Sequence, residues 1–189
     1  MRITGGDLGS RHLVAPRGDA TRPTSDRVRE ALFSILEAKA PVRGLRVLDL
    51  YAGTGALGLE ALSRGAARCV FVEKGRDALA ALKKNIDALG VAPRCSVLSG
   101  TVEKATRTLD PAEPFELIFC DPPYADVRSG TATRALAAIV ARVGHLHGGI
   151  RVVLEHASED SPPALPNLGP GSTRRYGDTS LTFYAQIPA

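Results

Sequence analysis

Asp121-Pro122-Pro123-Tyr124 carries the most specific chemistry in this sequence. Two prolines fix φ and remove two N–H donors, so the turn is rigid and rich in acceptors. The Asp121 carboxylate and the Pro122 carbonyl become two acceptors side by side. Such a pair suits a planar amino group attached to a ring, and Tyr124 offers a flat face on which a base can stack. A second stretch, Asp49-Leu50-Tyr51-Ala52-Gly53-Thr54-Gly55-Ala56-Leu57-Gly58, runs from strand-like residues through a glycine turn into helix-like sequence. Glycine admits positive φ and lets a ligand approach the main chain. The free N–H groups of a helix start make such a corner polar.

These spacings admit two cofactors. Gly53 to Gly58 fits G-x-G-x-x-G, with Glu73 lying 20 residues after Gly53. That is the dinucleotide fingerprint, with a pyrophosphate on the helix N-terminus and Glu73 on a ribose. Three features weigh toward another ligand. Asp49 stands at the strand tip, where a carboxylate suits a cationic amino-acid end better than a pyrophosphate. Asp-Pro-Pro-Tyr has no role in hydride transfer. With sequence for a single sheet, no second substrate domain is expected.

Strands and helices must position these groups. Residues 1–22 are rich in Gly and Arg and read as a small hairpin or arm rather than a core element. A helix is expected from about Ser25 to Lys39, capped by Thr24 or Ser25 and ended by Pro41 and Gly44. Strand-like runs follow at 46–50, 69–73, 95–98, 115–120 and 149–155. Helix-like runs lie between them at 56–63, 77–89, 102–109 and 131–143. Residues 158–171 read as a loop, and 173–176 with 180–187 as an antiparallel hairpin turning at Gly177-Asp178. Alternating strands and helices imply a mostly parallel sheet with helices on both faces. Ligands of such sheets bind at the carboxyl ends of strands, where strand order reverses. The singled-out residues, 49–58, Glu73, 99–101 and 121–124, all fall at strand ends.

The chain of 189 residues suggests one domain, able to bury roughly 70% of its unfolded surface without a disulfide or metal staple. Cys69, Cys95 and Cys120 are expected as buried free thiols, and His145 and His147 as part of a solvated turn. No secretion signal and no membrane span are read, so a cytoplasmic protein is expected. Net charge is +4, and 19 of 24 basic residues are Arg. Guanidinium binds phosphate bidentately and stacks on bases, which fits an RNA partner.

Taken together the motifs resemble the class I S-adenosylmethionine-dependent methyltransferases. Arg2-Ile3 with Gly5-Gly6, Arg22-Pro23-Thr24 with Asp26-Arg27-Val28-Arg29-Glu30, Asp49 to Gly55, Asp121 to Tyr124, and Tyr176-Gly177-Asp178-Thr179 recur in that order. End to end the chain resembles the bacterial 16S ribosomal RNA (guanine(966)-N(2))-methyltransferase family. It departs at Gly9-Ser10-Arg11, where Gly-Arg or Gly-Lys is expected.

The resemblance implies a Rossmann-like fold with a seven-stranded, mostly parallel sheet, a C-terminal antiparallel hairpin and a small N-terminal hairpin arm. It implies an RNA-contacting arm at 1–22 and a methyltransferase domain at 23–189. S-adenosylmethionine would be held by Asp49 and the backbone of Tyr51, Ala52, Gly53, Thr54 and Gly55. Glu73 would accept both ribose hydroxyls, Gly100, Thr101 and Val102 would border its adenine, and Asp121 would also belong to the cofactor site. Asp121, Pro122 and Tyr124 would act on guanine N2. Arg11, Arg22, Arg27, Arg29, Arg174 and Arg175 are candidate contacts to 16S rRNA, within a partly or fully assembled 30S subunit, made by a monomer. Three readings stay open beside it: an adenine-N6 methyltransferase on DNA or RNA, a nicotinamide-dependent oxidoreductase, and a non-catalytic RNA binder.

Overall fold

A computed structural model describes residues 1–15, 25–143, 150–166, 168–169 and 171–185. The elements run α1 (Asp26–Lys39), β1 (Arg46–Leu50), α2 (Ala56–Ser63), β2 (Arg68–Glu73), α3 (Arg76–Leu89), β3 (Cys95–Ser99), α4 (Val102–Thr108), β4 (Leu117–Cys120), α5 (Tyr124–Arg128), α6 (Thr131–Val143), β5 (Arg151–Ala157), β6 (Ser172–Tyr176) and β7 (Thr179–Ala185). The strands form one seven-stranded sheet in the order β3-β2-β1-β4-β5-β7-β6. β7 is antiparallel to β5 and to β6, and the other pairs are parallel.

After β1 the chain moves outward through β2 and β3. It then returns to β4 on the other side of β1. This reversal opens a crevice beyond the carboxyl ends of β1 and β4, where doubly wound sheets bind their ligands.

Strand parity divides the core into two layers. Val47, Phe71, Leu117 and Phe119 face one side, with Leu32, Leu36, Leu59, Leu62, Leu82 and Ile86 from α1, α2 and α3. Leu48, Leu50, Val72, Ile118 and Cys120 face the other, with Ala105 from α4 and Leu136, Ile139 and Val140 from α6. Parity also turns Asp49, two residues after Val47, toward the side of α2.

Several local expectations needed adjustment. Ser25 is the N-cap of α1, its side chain accepting from Val28 N. The turn after β4 runs directly into α5, an extra helix. β5 continues to Ala157. Cys69 and Cys120 are buried free thiols, but Cys95 is only half-buried. His145 and His147 lie outside the described residues, as does Arg22. Among the described residues no helix is long and apolar enough to cross a membrane.

The N-terminal arm is a hairpin, with Arg2 bridging His12 and Ile3 N donating to Arg11 O at 2.9 Å. It is not peripheral to the core, however. Ile3 and Leu13 are buried in the layer that holds α1 and α2. Glu60 of α2 anchors the arm, accepting from Thr4 N (2.7 Å), Thr4 Oγ1 (2.7 Å) and Gly5 N (2.9 Å). The same carboxylate accepts from Arg29 Nε (3.3 Å) and Arg64 Nε (2.9 Å).

Candidate active site

The glycine corner holds three left-handed residues, Tyr51 (φ 59°), Gly53 (φ 56°) and Gly55 (φ 81°). A bulky side chain at positive φ costs on the order of 1–3 kcal/mol, so Tyr51 is a point of stored backbone strain beside the crevice. The three fingerprint glycines divide their work. A Cβ on Gly53 would meet no atom nearer than 4.0 Å, so its outer side is open. A Cβ on Gly55 would stand 2.4 Å from Leu82, and one on Gly58 2.4 Å from Phe71 and 2.5 Å from the Cys69 sulfur. Gly53 therefore leaves the outer side of the corner open, while Gly55 lets the corner pack against α3 and Gly58 lets α2 close onto β2.

Asp49 is buried beneath this corner, and its Oδ2 accepts from Gly58 N at 2.9 Å. It thereby satisfies one of the otherwise orphaned amides in the first turn of α2. Burial pushes its carboxyl up to about 8; the Gly58 amide opposes the shift and the charge of Glu73 adds to it. Its partner is thus the helix start, under the loop rather than in the open crevice.

Glu73, at the tip of β2, is clamped by backbone amides. Oε2 accepts from Gly53 N (2.8 Å), and Oε1 from Lys74 N (2.8 Å) and Gly75 N (2.6 Å). A carboxylate offers about four lone-pair sites, and these three amides take three of them and fix its aim. Beyond β3, Gly100 takes φ 154° and Thr101 caps α4, accepting from Lys104 N at 3.3 Å. A cavity of about 200 Å³ borders Ser99, Gly100, Thr101 and Lys104. Val102 does not line that cavity, and its side chain is buried in the core.

Asp-Pro-Pro-Tyr lies across the crevice from the glycine corner. Leu50 and Cys120 are register partners, and Asp121 N donates to Leu50 O at 3.4 Å. The Pro123 carbonyl is taken by Asp126 N (2.8 Å) and Val127 N (3.3 Å) of α5. The Pro122 carbonyl receives no protein hydrogen bond among the described residues. Tyr124 opens α5, and its hydroxyl lies 2.7 Å from Thr179 Oγ1 at the start of β7. The tetrapeptide is thereby tied to the Tyr176–Thr179 turn, a link that sequence separation hides.

The arginines fall into three groups. Arg11, Arg27, Arg174 and Arg175 are exposed, the last two on the edge strand β6. Arg22 lies outside the described residues. Arg29 is a correction: its side chain is fully buried, paired with Glu60 and Asp26 and donating to Arg2 O, so it has no surface to offer RNA. Three polar residues went unread in the sequence. Glu60 is the lone charge in the apolar run of α2. Asn85 stands on the same helical stripe as Leu82, Ile86 and Leu89. Thr179 ends the Tyr176-Gly177-Asp178-Thr179 motif, with no local sign of its partner. The first two break an apolar pattern, which was the available signal.

Comparison with known proteins bears on the reading of this crevice. The family described as "Conserved hypothetical protein 95" matches residues 1–185. The Bacillus subtilis "Putative rRNA methyltransferase YlbH" is 33% identical over 186 residues, covering 97% of this chain and 98% of that protein. The Escherichia coli "Ribosomal RNA small subunit methyltransferase D" is 40% identical over 129 residues, or 66% of this chain and 60% of that protein. Among solved structures, "Putative methyltransferase yhhF" from Escherichia coli superposes with a TM-score of 0.82 at 32% identity, covering 98% of this chain and 97% of that one. Between the two cofactor readings of the glycine corner, these relatives favour methyl transfer over hydride transfer.

Proposed function

Because this chain belongs to the conserved hypothetical protein 95 family and has the class I methyltransferase fold, we propose that it methylates the exocyclic N2 of a guanine in 16S ribosomal RNA. The methyl donor in this reading is S-adenosylmethionine. The observation that carries it is the meeting of three neighbouring strand ends: an open glycine cradle after β1, a clamped acid at the tip of β2, and a rigid two-acceptor turn with an aromatic ring after β4.

S-adenosylmethionine supplies an electrophilic methyl group on a sulfonium. The backbone of Tyr51 to Gly55, supported from below by Asp49, holds its amino-acid end. Glu73 uses its remaining acceptor position for the ribose. Gly100, Thr101 and the Val102 backbone border the adenine. The guanine must leave its stack to reach the crevice, at a cost of a few kcal/mol that stacking on Tyr124 partly returns. Asp121 and the Pro122 carbonyl accept hydrogen bonds from the N2 amino group. They turn its lone pair out of conjugation and aim it, so that positioning supplies much of the rate. In this reading the methyl carbon leaves the sulfonium for N2, the sulfur keeps the bonding pair, and Asp121 or water takes the surplus proton.

Arg11, Arg27, Arg174 and Arg175 contact the RNA backbone. In this reading the substrate is a partly or fully assembled 30S particle, and the enzyme acts as a cytoplasmic monomer. The test is transfer of labelled methyl to undermodified small subunits, their naked RNA, and DNA. Label on guanine N2 of the subunit or its RNA is expected. Label on adenine or on DNA would replace this reading by the amino-adenine one. Asp121→Ala should cut turnover by roughly 10²-fold or more with little change in cofactor affinity. Glu73→Ala should instead weaken cofactor binding, and unchanged binding in calorimetry would remove the ribose role.

A further inference from the structure

The arm and the glycine corner meet at one side chain. Asn85, on α3, is buried, and its amide makes three hydrogen bonds. Its Oδ1 accepts from Val14 N at 2.7 Å, and its Nδ2 donates to Val14 O at 3.1 Å and to Thr54 O at 3.0 Å. Both N–H donors of the amide are used, one on each side, and the amide orientation follows from them: only its NH2 can face two carbonyls. A carboxylate would turn oxygen against those carbonyls, and an apolar side chain would strand all three backbone groups. A weaker contact runs in parallel, with Thr54 Oγ1 lying 3.9 Å from the Met1 sulfur.

Thr54 sits between Gly53 and Gly55, the two left-handed glycines of the cradle. Glycine gives a loop the freedom to be wrong as well as right, so the loop's conformation has to be fixed by its partners. On the inner side Gly55 N bonds Ala52 O and Gly53 N bonds Glu73. On the arm side the restraint is Asn85.

We infer that Asn85 is a positioning residue through which the N-terminal arm braces the cofactor loop, making the arm part of the cofactor site and not only a surface for RNA. The inference rests on the reading of that loop as the S-adenosylmethionine cradle. By reciprocity, an arm drawn out of place would loosen cofactor, and a bound cofactor would hold the arm in the position it presents to RNA.

The test is calorimetric binding of S-adenosylhomocysteine to wild type and four variants. Asn85→Ser removes the amide. Val14→Pro removes the arm's N–H donor to it. Val14→Ala keeps that donor and changes only a half-exposed side chain. Ile139→Val trims the opposite core layer and reports general loss of stability. Asn85→Ser and Val14→Pro should each bind roughly tenfold more weakly, the worth of a lost hydrogen bond or two. They should raise KM for cofactor while kcat at saturation stays near wild type, and the two control variants should bind as wild type does. Wild-type-like binding by both Asn85→Ser and Val14→Pro overturns the brace, and weak binding by Asn85→Ser alone overturns the arm's part in it. Weakening by Ile139→Val in proportion to its lost melting temperature would reduce Asn85 to a stability effect. Failure of wild type to bind at all would overturn the cofactor reading itself, which separates the two claims.

Discussion

Glu60→Ala should detach the N-terminal arm and cost the protein much of its stability. The carboxylate is fully buried and accepts from Thr4 N, Thr4 Oγ1, Gly5 N, Arg29 Nε and Arg64 Nε. Removing it leaves the fully buried guanidinium of Arg29 with Asp26 and no Glu60, together with two arm amides facing a void. Breaking a buried ion pair by deleting one partner costs about 3–5 kcal/mol. A domain's whole stability is about 5–15 kcal/mol, so the variant stands near the edge of folding. At about 2–4 °C per kcal/mol for a chain of this size, the melting temperature should fall by roughly 6–20 °C. Urea titration followed by circular dichroism measures the loss directly. Glu60→Gln keeps the volume and one acceptor, and should lose about 1–3 kcal/mol by stranding donors. A double-substitution cycle with Arg29→Met should return a coupling above about 1 kcal/mol. If Glu60→Ala loses less than about 1 kcal/mol, the level of an exposed pair, the carboxylate is solvated and does not anchor the arm.

Three other substitutions test separate parts of the site. Asp49 has a folded-state carboxyl pKa of about 8, above its unfolded value, because burial favours the neutral form. The folded state therefore holds the extra proton, and the group's contribution to stability falls as pH rises from about 4 toward about 8. Asp49→Asn, which keeps an acceptor for Gly58 N, should show a flatter dependence of urea midpoint on pH across that window; parallel curves would refute the burial argument. Gly58→Ala improves helix propensity yet places a methyl 2.4 Å from Phe71, so it should destabilise by about 1–3 kcal/mol, and a gain in melting temperature would show that α2 can move off the sheet. Thr179→Val removes the partner of the Tyr124 hydroxyl, so kcat should fall roughly two- to tenfold with cofactor affinity unchanged. An unaltered kcat would mean that the tyrosine ring is held by packing alone.

What the sequence determined by itself was every strand and every α-helix but the short α5, and the strand ends that carry the candidate site. β1 and α2 lie at the expected 46–50 and 56–63, because apolar periodicity and turn residues act within one or two turns of chain. The glycine corner, Glu73 and Asp-Pro-Pro-Tyr were legible for the same reason: each is a short contiguous pattern. Burial of particular polar side chains was half legible. Arg27 and Arg29 lie about 200° apart on a helix, so they cannot share a face, and Arg29 falls on the stripe of Leu32, Phe33 and Leu36. Its residue type points to the surface while its position points to the core, and position prevails. Only the tertiary structure could name its partner, since Glu60 is 31 residues away and nothing local selects it.

The same holds for Asn85, whose place on an apolar stripe signals burial but not that it joins Val14 to Thr54. It holds for Tyr124 and Thr179, which meet 55 residues apart because β7 folds back beside β5. Parity could have turned Asp49 toward α2, yet its burial under Gly58 depended on how closely that helix packs. Propensity and periodicity are properties of neighbouring residues, whereas a buried charge or amide is tolerated only where distant backbone and side chains complete its hydrogen bonds.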